Sequence, residues 1–456
     1  MGSFKGDKRK PDRNRLRPIG GIGRPDRGPE ALEQRTLLST GFVSTPHQVT
    51  TAALNGPVFA KGGKHLSELY EASRLGGNAL TQTIAAKSPL ITFRNGLVGI
   101  DIYSNQKVNF DRLSRSLTNL GMQITATDAK FQIIEGFLPI GQLRTVSQMA
   151  GIRSLAPMFN PVSRNQGAAP NQANDVMQAD VARTTFGVDG SGITVGVLSD
   201  SVDRFQGGLA DSISTGDLPP LNRINVLQDE PVGGNNSDEG RAMMELIYDI
   251  APGVDFAYHT AAGGVLNFAQ GIRDLSRVAG AQVIVDDIGY PNEPVFQPGL
   301  VAQAITDVVQ NDGRTYFSAA GNDADSGIET NFRGVNTTVN GVGAGRFLDF
   351  DPGPGVAPTL QVTVNTQTIG ILWWDDPWFT GTAASNVDYF LIDGNGNVAV
   401  SGINQNIGTA NPQEIELLQP GVYQLAIRAT AGPDPSRVRF QVLGGSMDVD
   451  QSFGTA

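Results

Sequence analysis

The sequence predicts an α/β protein in three parts: a split βαβ domain, a doubly wound parallel sheet and an all-β sandwich. Between 97 and 160, strand and helix patterns follow the order β-α-β-β-α-β, which is that of a split βαβ fold. Between 187 and 322, apolar strands alternate with helices, which predicts a parallel sheet with helices on both faces. From 331 onward, short alternating runs are separated by turn residues, the pattern of a β-sandwich.

Length and composition agree with several folded domains. A chain of 456 residues suggests roughly three domains of about 150 residues each. Its 56 glycines, 26 prolines and 17% charged residues favour strand-rich and loop-rich domains over helical bundles or disorder. The predicted divisions are a basic tail at 1–45, the split βαβ domain at 90–160, the parallel-sheet core at 175–330, the sandwich at 331–446, and a segment at 447–456 that returns to the core.

The same numbers exclude several classes of protein. No stretch approaches the roughly 20 apolar residues of a membrane-spanning helix. The absence of cysteine excludes disulfides and thiolate metal sites. The net charge of −11 includes a basic start, with nine Lys and Arg against three Asp in the first 27 residues. The remainder is therefore strongly acidic, and nucleic acid is not expected as the main partner.

The first 90 residues have little periodicity. Residues 1–40 form either a disordered basic tail or a sorting segment, because Leu32–Leu38 (Leu-Glu-Gln-Arg-Thr-Leu-Leu) resembles a short tag on large extracellular proteins of planctomycete-type bacteria. Gln34 stands where that tag usually has proline. The resemblance implies a secreted or cell-surface protein. Residues 40–90 are predicted to be a linker with a short helix near His65–Arg74.

The elements of both α/β parts can be located one by one. Periodicity in the first part predicts strand 97–103, helix 110–120, two strands within 122–139, helix 140–149 and strand 152–156. In the core it predicts strands 193–198, 224–227, 254–259, 282–285 and 314–318, and helices 265–278 and 300–310. Sites in such sheets lie beyond the carboxyl ends of the strands.

Two features of the sandwich have more than one interpretation. Trp373, Trp374, Trp378 and Phe379 either bind carbohydrate or protein at the surface or belong to the core, which is the expected place. The run Asp393–Asn397 begins like a calcium loop but lacks its glycine and distal glutamate. It is predicted to be a hairpin turn.

Three polar residues occupy positions where a doubly wound sheet carries its active groups. Asp200 ends the strand Ile-Thr-Val-Gly-Val-Leu-Ser-Asp, Glu239 begins a predicted helix, and Asn322 follows Thr-Tyr-Phe-Ser-Ala-Ala-Gly. Each has an ordinary interpretation, because Asp often caps a helix and Gly-Asn is often a turn. Their combination is specific.

The surrounding residues resemble the subtilisin-like serine peptidases. The resemblance rests on Val195–Asp200, on Gly240 with Ala251–Gly253 downstream, and on Ala319–Asn322. It implies a serine-type endopeptidase acting on peptides or proteins, in which Asp200 orients the base and Asn322 donates a hydrogen bond to the oxyanion. It also implies that 97–160 is a propeptide that assists folding and inhibits. The residues identify no cofactor, although the resemblance allows calcium.

The sequence departs from this family at the base. Glu239 stands where subtilisins have a histidine, and a glutamate here is similar to the related sedolisin peptidases, although their second carboxylate is replaced by Met243. A glutamate base works in acid, or near neutrality if desolvation raises its pKa, so an acidic optimum is expected. The alternative is a first-turn carboxylate favoured by the helix dipole.

Asp286, Asp287 and Gly289 form a further candidate group. They lie in Val-Ile-Val-Asp-Asp-Ile-Gly, where the family has a substrate-binding strand. The two carboxylates either recognise a substrate amine and affect the electrostatics of Glu239, or they cap a turn.

No segment resembles the Gly-Thr-Ser that carries the nucleophile in this family. Gly381–Ser385 lies within the predicted sandwich, where a turn is expected, and Gly454–Ala456 has alanine in place of serine. The sequence is therefore expected to stop before the nucleophile, to be inactive as given, and to carry the sandwich as an insertion in the catalytic domain. The alternative function is a pseudopeptidase that binds an extracellular ligand or surface.

Overall fold

The computed structural model describes most of the chain beyond residue 57. It covers residues 58–450 apart from 88–89, 95, 161, 164–172, 206, 232–236, 324–325, 380–382 and 409–410. The predicted tail at 1–45, with its Leu32–Leu38 run, and the Gly454–Ala456 segment lie outside these residues. None of the helices in the covered ranges is long and apolar enough to span a membrane.

A long helix precedes the first sheet, where the sequence predicts mainly a linker. This helix, α1 (Phe59–Lys87), contains 29 residues. Its four glycines weaken the intrinsic helical preference, which explains why periodicity predicts only a short segment. Packing stabilises it instead, because Leu66 and Leu69 are buried in one cluster with Val98 and Ile100 of the first sheet.

The helix also contacts the carboxyl-terminal half of the chain. Lys64 is buried and its Nζ lies 2.7 Å from Oε1 of Glu416. Nε2 of His65 lies 3.0 Å from the carbonyl oxygen of Ile415. The helix thus joins the first sheet to a strand more than 300 positions away.

After one additional short strand, the first sheet has the predicted β-α-β-β-α-β order. Its elements are β1 (Phe93–Arg94), β2 (Leu97–Ser104), α2 (Phe110–Asn119), β3 (Gln123–Asp128), β4 (Ile133–Pro139), α3 (Leu143–Ser147) and β5 (Ile152–Pro157). All its strand pairs are antiparallel; β2 pairs with β4, β5 and β1, and β3 pairs with β4. A short strand, β6 (Val162–Ser163), follows.

A five-stranded parallel sheet forms the middle of the structure. Its elements and those around it are α4 (Ala173–Val176), α5 (Ala179–Phe186), β7 (Thr194–Ser199), α6 (Gly208–Thr215), β8 (Ile224–Gln228), α7 (Glu239–Ile250), β9 (Asp255–Thr260), α8 (Val265–Arg277), β10 (Val283–Asp286), β11 (Ile288–Gly289), α9 (Leu300–Asp312) and β12 (Thr315–Ser318). The strand order is β12-β10-β7-β9-β8, and every pair is parallel. The prediction of an α/β protein with a parallel sheet is confirmed.

Helices cover both faces of this sheet because neighbouring side chains on a strand point in opposite directions. Val197 on β7 is buried in one cluster with Met244 of α7. Leu198, the next residue, is buried with Phe268 of α8. Because all five strands run in the same direction, their carboxyl ends lie at one edge of the sheet. The start of α7 lies at the same edge, next to the end of β7.

Two antiparallel sheets follow β12. Their strands are β13 (Gly327–Asn331), β14 (Gly334–Val339), β15 (Gly343–Leu348), β16 (Leu360–Val364), β17 (Thr368–Trp374), β18 (Asn386–Ile392), β19 (Val398–Gly402), β20 (Gln413–Leu418), β21 (Gly421–Ala431), β22 (Arg437–Leu443) and β23 (Met447–Val449). One sheet has the order β13-β22-β17-β20, and the other contains β14, β15, β21, β16 and β23, with β18 and β19 alongside. Trp374 on β17 and Phe440 on β22 share a buried cluster with Tyr389 on β18 and Leu425 on β21, which belong to the other antiparallel sheet.

Two expectations for this region have definite outcomes. Trp373, Trp374 and Trp378 are buried, so the expectation of core aromatics is met for these three. The segment that begins at residue 447 does not return to the parallel sheet over its described part. It forms β23, which pairs with β16, because Met447 and Val449 are buried in the cluster between the two antiparallel sheets.

The cluster between the antiparallel sheets predicts the cost of removing one of its rings. Phe440 is completely buried there, so Phe440→Ala is expected to lower the free energy of unfolding by about 3–5 kcal/mol. Phe317, on β12, is 59% exposed, so the same truncation there is expected to cost about 0.5 kcal/mol or less. Chemical denaturation of the two variants checks the difference; equal costs would contradict the assignment of Phe440 to a closed core.

Candidate active site at the edge of the parallel sheet

Asp200 directly follows β7, and its carboxylate connects the end of that strand to the start of α7. Its Oδ1 accepts hydrogen bonds from the amides of Ser201 (2.5 Å) and Glu239 (2.9 Å). Its Oδ2 accepts from the amide and the hydroxyl of Ser237, both at 2.7 Å. A carboxylate at a helix N-terminus satisfies amides that lack an intrahelical partner and interacts favourably with the dipole. Asp200 therefore fixes where α7 begins.

Asp238, the residue directly before α7, also connects the loop after β7 to this helix. It adopts the left-handed conformation, with φ of 54°, which is uncommon for a residue other than glycine. Its buried carboxylate accepts hydrogen bonds from the Ser201 hydroxyl (2.7 Å) and from the amides of Arg204 and Phe205 (both 2.9 Å). These bonds hold the loop after β7 against α7 and compensate the backbone strain.

Glu239, the first residue of α7, is only 2% exposed. Its Oε2 accepts a hydrogen bond of 2.9 Å from the hydroxyl of Ser199, and its carboxyl is hydrogen-bonded to that of Asp287. Burial, reinforced by the charges of Asp287 and Asp200, raises the pKa of Glu239 to about 8, although the Ser199 bond acts in the opposite direction. The carboxyl is therefore protonated at neutral pH.

A glycine lets Glu239 reach this position. A Cβ on Gly240 would lie 2.3 Å from the ring of Tyr258 and 2.9 Å from the carbonyl oxygen of Ser201. Only glycine allows α7 to approach β9 so closely without displacement. The Tyr258 hydroxyl in turn donates a 3.0 Å hydrogen bond to the carbonyl of Ser199, so the same ring supports the strand that carries the partner of Glu239.

A second acidic pair follows β8, and the sequence reasoning missed it. Asp229 accepts hydrogen bonds from the amides of Val202 (3.1 Å) and Asp203 (3.2 Å). Burial and the charges of Asp200 and Asp229 raise the pKa of Glu230 to about 7, and Arg94 of β1 acts in the opposite direction. Asp229 and Glu230 directly follow β8, and a position at the carboxyl end of a parallel strand is the sequence feature that indicates a site.

Asp286, Asp287 and Gly289 have three different environments. Asp286 is buried between β10 and β12, where it accepts hydrogen bonds from the hydroxyls of Tyr316 (2.5 Å) and Ser318 (2.8 Å). Asp287 contacts Glu239. Gly289 belongs to β11, which pairs antiparallel with β6 of the chain itself. Asp286 is thus part of the sheet interior, Asp287 is next to Glu239, and Gly289 is part of the short strand that pairs with β6.

The remaining candidates lie farther from the carboxyl pair. Asn322 follows β12, which β10 separates from β7 in the sheet. It therefore lies at the same edge as Asp200 but two strands away. His65 is on α1 and His259 is buried on β9, so neither takes the place of Glu239 at the start of α7. Among the described residues, no group of three or more His, Asp or Glu side chains is arranged to hold a metal ion.

Comparison with known proteins finds likenesses only among solved structures. No protein-family model and no curated protein matches the chain. The CspB protease of Clostridium perfringens is 12% identical, with a TM-score of 0.34 over 60% of this chain and 68% of that one. Fervidolysin of Fervidobacterium pennivorans, described as a keratinolytic enzyme related to subtilisin, is 11% identical, with a TM-score of 0.31 over 80% and 78%.

A third likeness is the epidermin leader peptide processing serine protease of Staphylococcus aureus. It is 10% identical, with a TM-score of 0.30, and the match covers 49% of this chain and 60% of that one. Likenesses of this size do not establish a family, so the function is argued from the site.

The protonated state of Glu239 predicts a pH-dependent stability. The folded protein binds a proton at Glu239 that the unfolded chain releases near pH 4, so this group makes stability fall as the pH rises from about 4 to 8. Glu239→Gln keeps the shape and the hydrogen bonds without the charge. It is expected to raise the free energy of unfolding at pH 9 by about 1–2 kcal/mol and to have little effect at pH 5.

Thermal denaturation at the two pH values measures this difference. Glu245→Gln, on the same helix, is the control, because its carboxylate only accepts a hydrogen bond from Ser212. A Glu239→Gln variant that is less stable than wild type at pH 9 would contradict the protonated assignment.

Proposed function

We propose that this protein is a subtilisin-like serine-type endopeptidase in which Glu239, paired with Asp287, is the acid–base group. The observation that carries the proposal is the strand β6, which lies antiparallel on β11 with Ile288 opposite Ser163 and Gly289 opposite Val162. β11 begins directly after Asp287. An extended segment of peptide therefore already occupies a strand edge next to the carboxyl pair.

A substrate would bind at this edge as an added strand. Extended peptides add to exposed sheet edges through main-chain hydrogen bonds, which give affinity with little dependence on sequence. β6 has the position and the extended conformation expected of such a bound peptide. In the proposal, the first sheet is a propeptide that holds β6 on β11, and the antiparallel sheets that follow β12 form a β-sandwich domain. Both fit a protein that is secreted or displayed at the cell surface and acts on peptides or proteins.

The pKa of Glu239 sets the pH at which it works as a base. A general base must be ionised before it accepts the proton of the attacking group, and it then returns the proton to the leaving amine. With a pKa of about 8, Glu239 is mostly protonated at neutral pH and becomes ionised above about pH 8. This supports an optimum near or above pH 8 in place of the acidic optimum expected from an ordinary glutamate.

Other residues of the edge have positioning roles in this proposal. Asp200 holds the first turn of α7 and so orients Glu239. Ser199 donates to Glu239 but is completely buried, so it orients the carboxyl and does not attack a substrate. Asn322, at the same edge of the sheet, is the candidate donor to the oxyanion.

Cleavage of fluorogenic peptides from pH 5 to 9 tests the proposal. The wild-type rate is expected to rise with pH and to level off above about pH 8. Glu239→Gln is expected to lower kcat/KM by about 100-fold or more, whereas Glu245→Gln keeps the wild-type rate. Because no segment of the sequence resembles the Gly-Thr-Ser of the family, a fluorophosphonate probe, followed by mass spectrometry of any labelled peptide, tests whether a serine of this chain is the nucleophile.

One observation favours a second function, that of a peptide-binding module without catalysis. Glu239 is 2% exposed, which limits its access to a bound peptide, while the β6–β11 contact needs only main-chain groups. An absence of cleavage and of probe labelling at every pH, together with saturable binding of an extended peptide that Glu239→Gln leaves unchanged, would replace the peptidase by this binding module.

A further inference from the structure

A buried carboxyl pair outside the candidate site lies where the first sheet meets the parallel-sheet core. Asp101 of β2 and Glu135 of β4 are cross-strand partners, and they are 2% and 0% exposed. Their side chains are hydrogen-bonded to each other. Residues directly opposite on one face of an antiparallel pair lie side by side, so the register of the two strands fixes this contact.

Glu135 also caps a helix of the core. Its Oε2 accepts a hydrogen bond from the amide of Leu266, and its Oε1 accepts one from that of Asn267, both at 3.1 Å. These amides are in the first turn of α8. A Cβ on Gly264, just before the helix, would lie 2.3 Å from Oε2 of Glu135. The first sheet thus supplies the cap of α8, and separation of the two would leave those amides without it.

The surroundings of the pair contain little that would neutralise charge. Tyr103 and Ile133, on the same face of the sheet, are buried with residues of α8. The nearby cation is Arg153 of β5, whose guanidinium lies 5.5 Å from the centre of the Tyr103 ring. From the core, Tyr290 faces Glu135 and donates its hydroxyl to the carbonyl of Ala261, and Glu293 lies beyond it. Neither Asp101 nor Glu135 has an ion pair among the described residues.

Two carboxylates in contact in such a place cannot both be ionised without a large cost. The amides of α8 favour the charge on Glu135, whereas burial and the charge of Asp101 raise the pKa of Glu135, so the two carboxyls hold at least one proton between them. Burial raises the pKa of Asp101 to about 7. Once the sheet leaves the core and water reaches the pair, each carboxyl returns to an ordinary pKa near about 4.

We propose that Asp101 and Glu135 make the contact between the first sheet and the parallel-sheet core proton-dependent, so that it is tight in acid and weakens as the pH rises to neutrality. The closed state keeps at least one proton that the open state releases near about pH 4, so the closing equilibrium falls about tenfold per pH unit from about pH 4 to 7. Weakening would also release β6 from β11, a step that rests on the proposed function.

Hydrogen exchange of the full chain, followed by mass spectrometry from pH 5 to 8, tests the proposal. After correction for intrinsic rates, the amides of Leu266 and Asn267 are expected to lose protection about 100-fold between pH 5 and 7. Asp101→Asn supplies an amide donor to Glu135 without a titrating proton, so its profile is expected to be flat. Asp111→Asn, at an exposed position on α2, is expected to keep the wild-type profile.

Two results would overturn the proposal: a flat wild-type profile, or an Asp101→Asn profile as steep as that of wild type. An equal loss of protection at Ala304 and Val308, buried in the core on α9, would also do so, because opening would then be global. Should Asp101→Asn fail to fold, Asp101→Ser takes its place with the same expected flat profile, because its hydroxyl can donate to Glu135 and does not titrate in this pH range. Exchange reports opening without any cleavage, so this test and that of the peptidase fail independently.

Discussion

Carboxylates that cap helices from outside them determine how this protein is assembled. Helices α7, α8 and α9 each begin without a side-chain hydrogen bond from their own N-cap residue. Instead α7 receives Asp200 from the end of β7, α8 receives Glu135 from the first sheet, and α9 receives Glu293. Because buried amides must be paired, the positions of α7 and α8 depend on elements that are distant in sequence.

The same arrangement explains the unusual ionisation of the molecule. Carboxyl groups at helix starts, at strand ends and, for Asp101, in the middle of a strand are removed from water, and several lie beside one another. Burial therefore raises the pKa of Asp101, of Glu230 and of Glu239 into or above the neutral range. In our proposals, the first sheet loosens over the pH range that precedes ionisation of Glu239. Access to the edge and formation of the base would then follow one another as the pH rises.

Much of this fold could be predicted from the sequence, because its elements have regular patterns. The predicted strand 193–198 is found at Thr194–Ser199, and the predicted helix 300–310 at Leu300–Asp312. Asp200 and Glu239 could be singled out because polar residues at strand and helix ends stand out locally. Helix α1 could not be predicted in full, since packing and not residue preference stabilises it. The contact of Glu239 with Asp287 was also out of reach as a defined pair, because the second carboxyl comes from another strand and not from the next helical turn.

The long helix α1 has a mechanical consequence. Leu66 and Leu69 are packed on the first sheet, while Lys64 and His65, in the same turns of the helix, are bonded to β20 of the antiparallel sheets. The buried cluster that contains these leucines also includes Ile371 and Leu443 of the antiparallel sheets. A rigid rod fastened to two bodies makes them move as one, so a rotation of the first sheet away from the parallel core would carry the antiparallel sheets with it. Such a rotation would also have to break the hydrogen bond from the Trp373 indole to the carbonyl oxygen of Glu293, which joins the antiparallel sheets to the core.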